Sequence, residues 1–205
     1  MHALPPRLLL LDFDGLLAGY SHPVRIAHLA RSCDADPQQV AQAVFASGLE
    51  TAYDSGLIDT GDYLDRIGQA LHCRLDAETW IAARVASCRA QPPVVELVRR
   101  MAQRMPVGIL SNNGALMAEA MPRIVPELFP LLHGRVLCSG MLGARKPTAE
   151  AFARALAHFD TAPGRTLFVD DLFANVRGAR AAGLQAETAK DAPSLRKVLK
   201  RYRLA

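Results

Sequence analysis

The sequence has no long apolar segment of the kind that marks a membrane protein. No run of apolar residues approaches the roughly 20 that are needed to cross a bilayer as a helix. The first residues also lack the basic segment, apolar stretch and small-residue cleavage site of a secretory signal. These absences predict a soluble, untargeted chain with a cytoplasmic location and no membrane partner.

Cysteine is scarce and widely spaced. The four cysteines, Cys33, Cys73, Cys88 and Cys138, form no Cys-x-x-Cys pair, and no histidine lies near them at zinc-site spacing. This distribution argues against both a disulfide framework and a zinc site. We therefore expect reduced thiols.

The charge is only mildly positive. The formal net charge is +4, and much of the excess lies near the C-terminus, between Lys190 and Arg203. A nucleic-acid footprint would interleave such charges with stacking aromatic residues, whereas this segment has only Tyr202. Basic residues in the last turn of a helix also complement its dipole without any partner. We expect a solvated terminal helix and no nucleic-acid partner, and the sequence sets no oligomeric state.

The arrangement of apolar segments divides the chain into two parts. Residues 18–90 have helical patterns almost throughout, whereas residues 91–205 alternate short apolar runs with helical segments of about ten residues. Such alternation predicts a parallel sheet with helices on both faces. The predicted fold is therefore α/β, with a doubly wound, Rossmann-like core (residues 1–17 and 91–205) and an inserted helical bundle (residues 18–90).

The first predicted strand ends in a pair of carboxylates. Leu8 to Leu11 form a short apolar run typical of a strand that is buried on both faces, and Asp12 and Asp14 follow. In an extended chain these two side chains leave the same side, and oxygen ligands of this kind suit Mg²⁺. A polar turn with two solvated carboxylates would give the same pattern, so the pair alone leaves both interpretations open.

Two further predicted strands also end in polar groups. Ser111 and Asn112 follow one apolar run, Asp170 and Asp171 follow another, and Lys146 precedes a helix. Because ligands bind at the carboxyl ends of parallel strands, we expect these groups to converge on one crevice. Each has an ordinary alternative role as a cap, a turn or a surface residue. Four carboxylates in one crevice would repel one another without a metal, which favours a metal and phosphate site.

The order of these motifs resembles that of the haloacid dehalogenase superfamily of hydrolases over nearly the whole chain. The matching segments are Asp-Phe-Asp-Gly from Asp12, Leu-Ser-Asn ending at Asn112, Arg-Lys-Pro around Lys146, and Asp-Asp-Leu-Phe-Ala-Asn ending at Asn175. Within this superfamily the chain is similar to small sugar-phosphate phosphatases typified by α-D-glucose-1-phosphatase, whose subgroup places a helical cap between its first and second motifs.

This resemblance implies a Mg²⁺-dependent phosphatase that acts on a small phosphomonoester, such as a sugar phosphate, through an aspartyl-phosphate. Asp12 would be the nucleophile and Asp14 the general acid and base. Mg²⁺ would be held by the Asp12 and Asp171 side chains and the main-chain carbonyl of Asp14, with Asp170 acting directly or through water. The remaining assignments are phosphate binding by Ser111, Asn112 and Lys146, and orientation of the metal-binding carboxylates by Asn175.

The helical bundle of residues 18–90 corresponds to the cap of this subgroup, and it contains candidate residues for substrate selection. Tyr53 and Asp54, before Gly56, are candidates for substrate selection, as are Tyr20, His22 and Arg25 after the first motif. Packing or solvation would equally account for these residues. The competing functions are a phosphomutase, a 2-haloacid dehalogenase, and a non-catalytic module that binds a phosphorylated ligand. Asp14 and the pair Asp170 and Asp171 argue against the dehalogenase, which needs no metal.

Overall fold

The described part of the chain contains seven strands and eleven α-helices. The computed structural model describes residues 4–204, so residues 1–3 and 205 of the predicted core lie outside the described residues. The strands are β1 (Leu8–Leu11), β2 (Ala18–Tyr20), β3 (Cys88–Ala90), β4 (Val107–Ser111), β5 (Val136–Cys138), β6 (Thr166–Asp170) and β7 (Gln185–Thr188).

Five of these strands form one parallel sheet in the order β5-β4-β1-β6-β7. The leucine-rich strand β1 lies at its centre, with Leu11 opposite Ile109 on one side and Val169 on the other. Leu9 and Leu11 pack into one buried cluster, and Leu8 and Leu10 into a second one. This alternation buries both faces of the strand, as its uninterrupted apolar sequence predicted.

Helices cover both faces of the sheet. One face packs against α6 (Pro92–Ala102), α7 (Met117–Ile124) and α11 (Ala192–Arg201), and the other against α9 (Ala149–His158) and α10 (Phe173–Ala181). The prediction of a doubly wound α/β core is therefore confirmed. The helices are α1 (His22–Cys33), α2 (Pro37–Ala41), α3 (Leu49–Asp54), α4 (Thr60–Leu71), α5 (Ala77–Ser87), α6 (Pro92–Ala102), α7 (Met117–Ile124), α8 (Ser139–Leu142), α9 (Ala149–His158), α10 (Phe173–Ala181) and α11 (Ala192–Arg201).

Residues 18–90, called here the helical insertion, contain α1 to α5 and the π-helical turn Gln42–Ala46. Antiparallel pairing of β2 with β3 closes the two ends of this segment into a ribbon. We did not expect this ribbon, because its three-residue strands contain no apolar run and pair across a long sequence distance. No helix within residues 4–204 has the length and apolar character needed to cross a membrane.

Two local predictions are wrong. The glycine that ends the segment from Tyr53 to Gly56 predicts a turn, but Tyr53 and Asp54 form the last residues of α3. Pro122 predicts the end of a helix at Met121, but α7 continues to Ile124. Proline removes one backbone hydrogen bond, and the burial of Met121 and Ile124 in the core outweighs that loss.

The prediction of four reduced thiols is also wrong. Cys33 and Cys73 form a disulfide, with a Cα to Cα distance of 5.3 Å. It joins the last residue of α1 to the second residue after α4. Cys88 and Cys138 remain free. Spacing along the chain could not reveal this pair, because helix packing brings together residues that are 40 positions apart. Disulfides are rare in reducing compartments, so a cytoplasmic location stays a prediction that this bond does not support.

Candidate active site

The polar residues at the ends of β1, β4 and β6 meet around one cavity of about 390 Å³. Asp12 directly follows β1, Ser111 is the last residue of β4, and Asp170 is the last residue of β6. These three strands are neighbours in the sheet, so the fold itself brings their carboxyl ends together. The cavity is lined by, among others, Asp12, Asp14, Ser111, Asn112, Lys146, Asp171 and Asn175.

Lys146 lies between two buried carboxylates. Its Nζ donates hydrogen bonds to Asp12 Oδ1 at 2.8 Å and to Asp170 Oδ2 at 2.7 Å. Burial opposes the charged form of Lys146, but Asp12 and Asp170 outweigh it and raise the pKa of the ammonium group. Burial raises the pKa of Asp12 to about 7; Lys146 opposes this rise, and Asp170 adds to it. The site therefore holds more negative charge than Lys146 alone offsets.

Asp170 and Asp171 differ in their surroundings although they are adjacent. Asp170 accepts hydrogen bonds from Asn175 Nδ2 at 3.0 and 3.1 Å and from the Leu172 N–H at 2.8 Å, in addition to Lys146. Asp171 lines the cavity, and burial followed by the charge of Asp170 raises its pKa. A Cβ at position 15 would overlap the Asp171 carboxylate, and φ there is +87°, so both space and backbone require Gly15.

Three of these carboxylates form a candidate cation site. Asp12, Asp170 and Asp171 each offer an oxygen, and the three oxygens lie within 4.8 Å of one another. An all-oxygen donor set of this kind fits a hard divalent cation such as Mg²⁺. Burial is the main cause of the raised pKa values of Asp12 and Asp171, and the charge of Asp170 adds to both. A bound cation would favour the ionised form of these carboxylates.

The segment after β4 joins the predicted phosphate-binding residues. The Asn112 side chain accepts from the Lys146 N–H and donates to the Lys146 carbonyl, both at 2.9 Å. Asn113 Nδ2 donates to Ser111 Oγ at 2.7 Å. The Asn112 side chain therefore fixes the backbone that carries Lys146, while Ser111 is held beside the cavity.

Asp14 has donors from two directions. Arg84, on α5 of the helical insertion, donates from Nη2 to both Asp14 oxygens, at 2.9 and 3.2 Å. Asn113 Nδ2 donates to Asp14 Oδ2 at 2.9 Å. The hydrogen-bond donors to the Asp14 side chain are therefore a cation and an amide.

A second cavity, of about 260 Å³, adjoins the first. Asp14, Tyr20, Asn112 and Asn113 line both cavities, and the second one is completed by residues of the insertion: His22, Phe45, Glu50, Thr51, Asp54 and Arg84. Burial raises the pKa of Asp54 to about 7, Glu50 adds to the rise, and Arg145 and Arg25 oppose it.

Tyr53 lies outside these two cavities. Its side chain is buried, with the ring stacked on Tyr63 at 4.2 Å. Its hydroxyl accepts from the Leu116 N–H at 3.0 Å and is bonded to Thr60 Oγ1 at the same distance. In this position Tyr53 joins the insertion to the segment after β4.

The sequence did not single out two charged residues at these cavities, Arg84 and Glu50. Arg84 is 2 % exposed, although its helix α5 reads as an ordinary amphipathic segment. Glu50 holds Arg25, which is buried under the second cavity, through both carboxylate oxygens. The available signal was a charged side chain on a helix face with apolar neighbours, as with Arg84, which follows Trp80 and Ile81 by four and three positions.

Comparison with known proteins supports the same family. The model of the haloacid dehalogenase-like hydrolases matches residues 6–183. The phosphatase MT3486 of Mycobacterium tuberculosis is 34 % identical over 94 residues, which cover 46 % of this chain and 42 % of that protein. The matched segment is thus less than half the length of this curated relative.

Solved structures with the same fold are similar along most of the chain. A haloacid dehalogenase family enzyme from Bacteroides thetaiotaomicron, in complex with magnesium and inorganic phosphate, has a TM-score of 0.72 at 19 % identity, covering 90 % of this chain and 94 % of that one. The L-2-haloacid dehalogenase of Xanthobacter autotrophicus has a TM-score of 0.62 at 16 % identity, covering 98 % and 84 %. Because the family model matches most of the length of this chain, the chain belongs to the haloacid dehalogenase-like hydrolases.

Proposed function

We propose that this hydrolase is a Mg²⁺-dependent phosphatase that cleaves a small phosphomonoester, such as a sugar phosphate, through an aspartyl-phosphate on Asp12. The observation that carries the proposal is the buried arrangement of Lys146 between Asp12 and Asp170, with Asp171 close enough to share a cation. An excess of carboxylates beside a lysine, a serine and backbone N–H groups suits a dianionic phosphate bound together with a divalent cation.

Asp12, Asp171 and the main-chain carbonyl of Asp14 are the proposed magnesium ligands. Asp170 already accepts from Lys146, Asn175 and the Leu172 N–H, so we assign it to direct or water-mediated contact, with Asn175 orienting it. When bound, Mg²⁺ would neutralise negative charge on the phosphate and on Asp12. Ser111, the Asn112 N–H and Lys146 are the proposed phosphate-binding groups.

In the proposed mechanism, Asp12 Oδ attacks phosphorus while the bond from phosphorus to the ester oxygen breaks. Asp14 gives a proton to the departing oxygen, so an alcohol leaves and its carboxylate becomes ionised. Asp14 then takes a proton from water as that water attacks the phosphorus of the aspartyl-phosphate, which releases inorganic phosphate and restores Asp12. Lys146 remains protonated throughout and opposes the charge on the transferring group.

The helical insertion is the proposed cap, and its cavity is the proposed site for the leaving group. The cavity volume, about 260 Å³, suits a small molecule rather than a polymer. Asp54 and Glu50 present hydrogen-bond acceptors there, which suits the hydroxyl groups of a sugar or polyol. We therefore assign substrate selection to Asp54. Tyr53 would support this role by holding α3, the helix that carries Asp54, in place.

The features of this site support a phosphatase rather than a 2-haloacid dehalogenase. Both reactions use an aspartate nucleophile, but halide release needs neither a cation nor a proton donor. The carboxylate cluster and the placement of Asp14 beside both cavities would supply the cation site and the proton donor that phosphoryl transfer needs. A phosphomutase would use the same groups and differs in the fate of the phosphoryl group.

The test is a phosphate-release assay with and without Mg²⁺. The panel is p-nitrophenyl phosphate, glucose 1-phosphate, glucose 6-phosphate, glycerol 3-phosphate and AMP. We expect wild-type activity that needs Mg²⁺ and is removed by EDTA, and a loss of at least about a hundredfold in Asp12→Asn. Asp54→Asn should change the ranking of the sugar and polyol esters but not the Mg²⁺ requirement.

Circular dichroism and thermal melting of each variant provide the control for folding. Asp12→Asn that is folded and as active as wild type would refute the aspartyl-phosphate mechanism. Phosphate transfer to a second sugar in place of release would identify a mutase, and chloride release from 2-chloropropionate without metal would identify a dehalogenase.

A further inference from the structure

The side-chain hydrogen bonds of Arg84 cross the boundary between the helical insertion and the sheet. Besides the two bonds to Asp14, its Nη2 donates to Asn113 Oδ1 at 3.3 Å. Its Nε donates to Met117 Sδ at 3.2 Å, and its guanidinium carbon lies 4.2 Å from the centre of the Tyr20 ring. Its helix, α5, belongs to the helical insertion. Asp14, Asn113 and Met117 belong to the rest of the described chain, residues 4–17 and 91–204, which is called here the sheet domain.

These contacts leave Arg84 little freedom. The side chain is 2 % exposed, and the Tyr20 ring limits its movement on one side. A buried guanidinium requires hydrogen-bond acceptors, and Arg84 finds them in the two carboxyl oxygens of Asp14. The consequence is mutual, because the Asp14 side chain, still 27 % exposed, is held by the same bonds.

Asp14 is held at the point where the two cavities meet. It lines the phosphate cavity on the sheet side and the leaving-group cavity on the insertion side. In a phosphomonoester the ester oxygen is the atom between these two parts of the substrate. A general acid must lie within hydrogen-bond reach of that oxygen, so the direction of the Asp14 carboxylate decides whether it can donate.

We propose that Arg84 is a positioning residue, which holds the Asp14 carboxylate toward the ester oxygen and makes its proton transfer depend on the packed helical insertion. This inference rests on the proposed function of Asp14 as general acid and base. Arg84 itself transfers no proton and forms no bond to substrate. Its Asn113 contact adds a second restraint, because Asn113 also donates to Asp14 and to Ser111.

A positioning role predicts an effect that depends on the leaving group. p-Nitrophenolate departs readily as an anion, whereas a sugar or polyol alkoxide needs a proton from the general acid. Loss of Arg84 should therefore slow the hydrolysis of an alkyl phosphate much more than that of p-nitrophenyl phosphate. General loss of packing would slow both reactions by similar factors.

The experiment measures kcat and KM of Arg84→Met and Arg84→Lys with p-nitrophenyl phosphate and with the fastest alkyl phosphate of the panel above. For Arg84→Met we expect kcat for the alkyl phosphate to fall at least about tenfold more than kcat for p-nitrophenyl phosphate, with little change in either KM. Arg84→Lys keeps a donor and a charge, so it should recover part of the difference and also serves if Arg84→Met does not fold.

Arg25→Met is the matched control, since Arg25 is also a buried arginine of the insertion but pairs with Glu50 and not with Asp14. Because Glu50 lines the leaving-group cavity, Arg25→Met should change KM for the alkyl phosphate but leave the ratio of the two kcat values close to that of wild type. Asp14→Asn should show the same leaving-group selectivity as Arg84→Met, and the double variant should be no more selective than Asp14→Asn.

The outcomes separate the two hypotheses. If Asp14→Asn shows no leaving-group selectivity, the proposed role of Asp14 fails. If Asp14→Asn is selective but folded Arg84→Met and Arg84→Lys slow both substrates equally, or Arg25→Met is as selective as they are, the positioning role of Arg84 is overturned.

Discussion

Lys146 shows how a single residue can serve both stability and chemistry. It is the cation in contact with both Asp12 and Asp170, and all three side chains are buried. Burial of charges is unfavourable unless they are paired, so the lysine and the carboxylates depend on one another. The Asn112 side chain, bonded to the backbone of Lys146 on both sides, sets where this ammonium group can lie.

We predict that Lys146→Met leaves two buried carboxylates without their counter-ion. The free energy of unfolding should fall by about 3 to 5 kcal/mol, measured by urea denaturation in EDTA. Lys146→Met combined with Asp170→Asn should regain part of that loss, because one of the opposing charges is removed. An unchanged unfolding free energy in the single variant would contradict the pairing.

At the scale of elements, helix α3 connects the insertion to the sheet domain. Ser139 Oγ donates to the Asp54 carbonyl, and a Cβ on Gly114 would overlap the Tyr53 ring. The close approach places Asp54 at the second cavity and buries its carboxylate beside Glu50. The resulting pKa of about 7 makes the stability of the protein depend on pH through this helix.

We predict that Asp54 lowers stability as the pH rises. Its folded pKa, about 7, lies above its ordinary value of 3.8, so the folded state binds the proton more tightly than the unfolded chain. The destabilisation is therefore absent below about pH 4 and complete above about pH 7. Asp54→Asn should melt close to wild type at low pH and above it at high pH. Melting curves that stay parallel from about pH 5 to about pH 8 would exclude this contribution.

The sequence predicted the site residues at strand ends but not the contacts made by the helical insertion. Asp12, Ser111 and Asp170 were predicted because each follows an apolar run, and the parallel sheet then brings strand ends together. Arg84 meets Asp14 across 70 positions through the packing of α5, and no local pattern records that contact. The β2 and β3 ribbon was missed for the same reason, since its pairing depends on the whole insertion folding between its strands.

At the scale of the whole molecule, the sheet domain and the helical insertion meet at the candidate active site. The sheet domain supplies the charged groups around the first cavity, and the insertion supplies most of the second. The ribbon of β2 and β3 closes the insertion at its base, and the disulfide between Cys33 and Cys73 closes it between α1 and α4. The disulfide cysteines line neither of the two cavities, so the bond acts on the stability of the insertion rather than on the chemistry.

We predict that the purified, oxidised protein contains two thiols that react under denaturing conditions, not four, because Cys88 and Cys138 alone are free. The disulfide closes a loop with a sequence separation of 40, for which chain entropy gives a stabilisation of up to about 4 kcal/mol. Cys33→Ser with Cys73→Ser should lower the unfolding free energy accordingly, and a reducing agent should then have no further effect. Four reactive thiols before reduction would show that the bond does not form, whereas equal stability with and without it would show that the insertion is held by its packing alone.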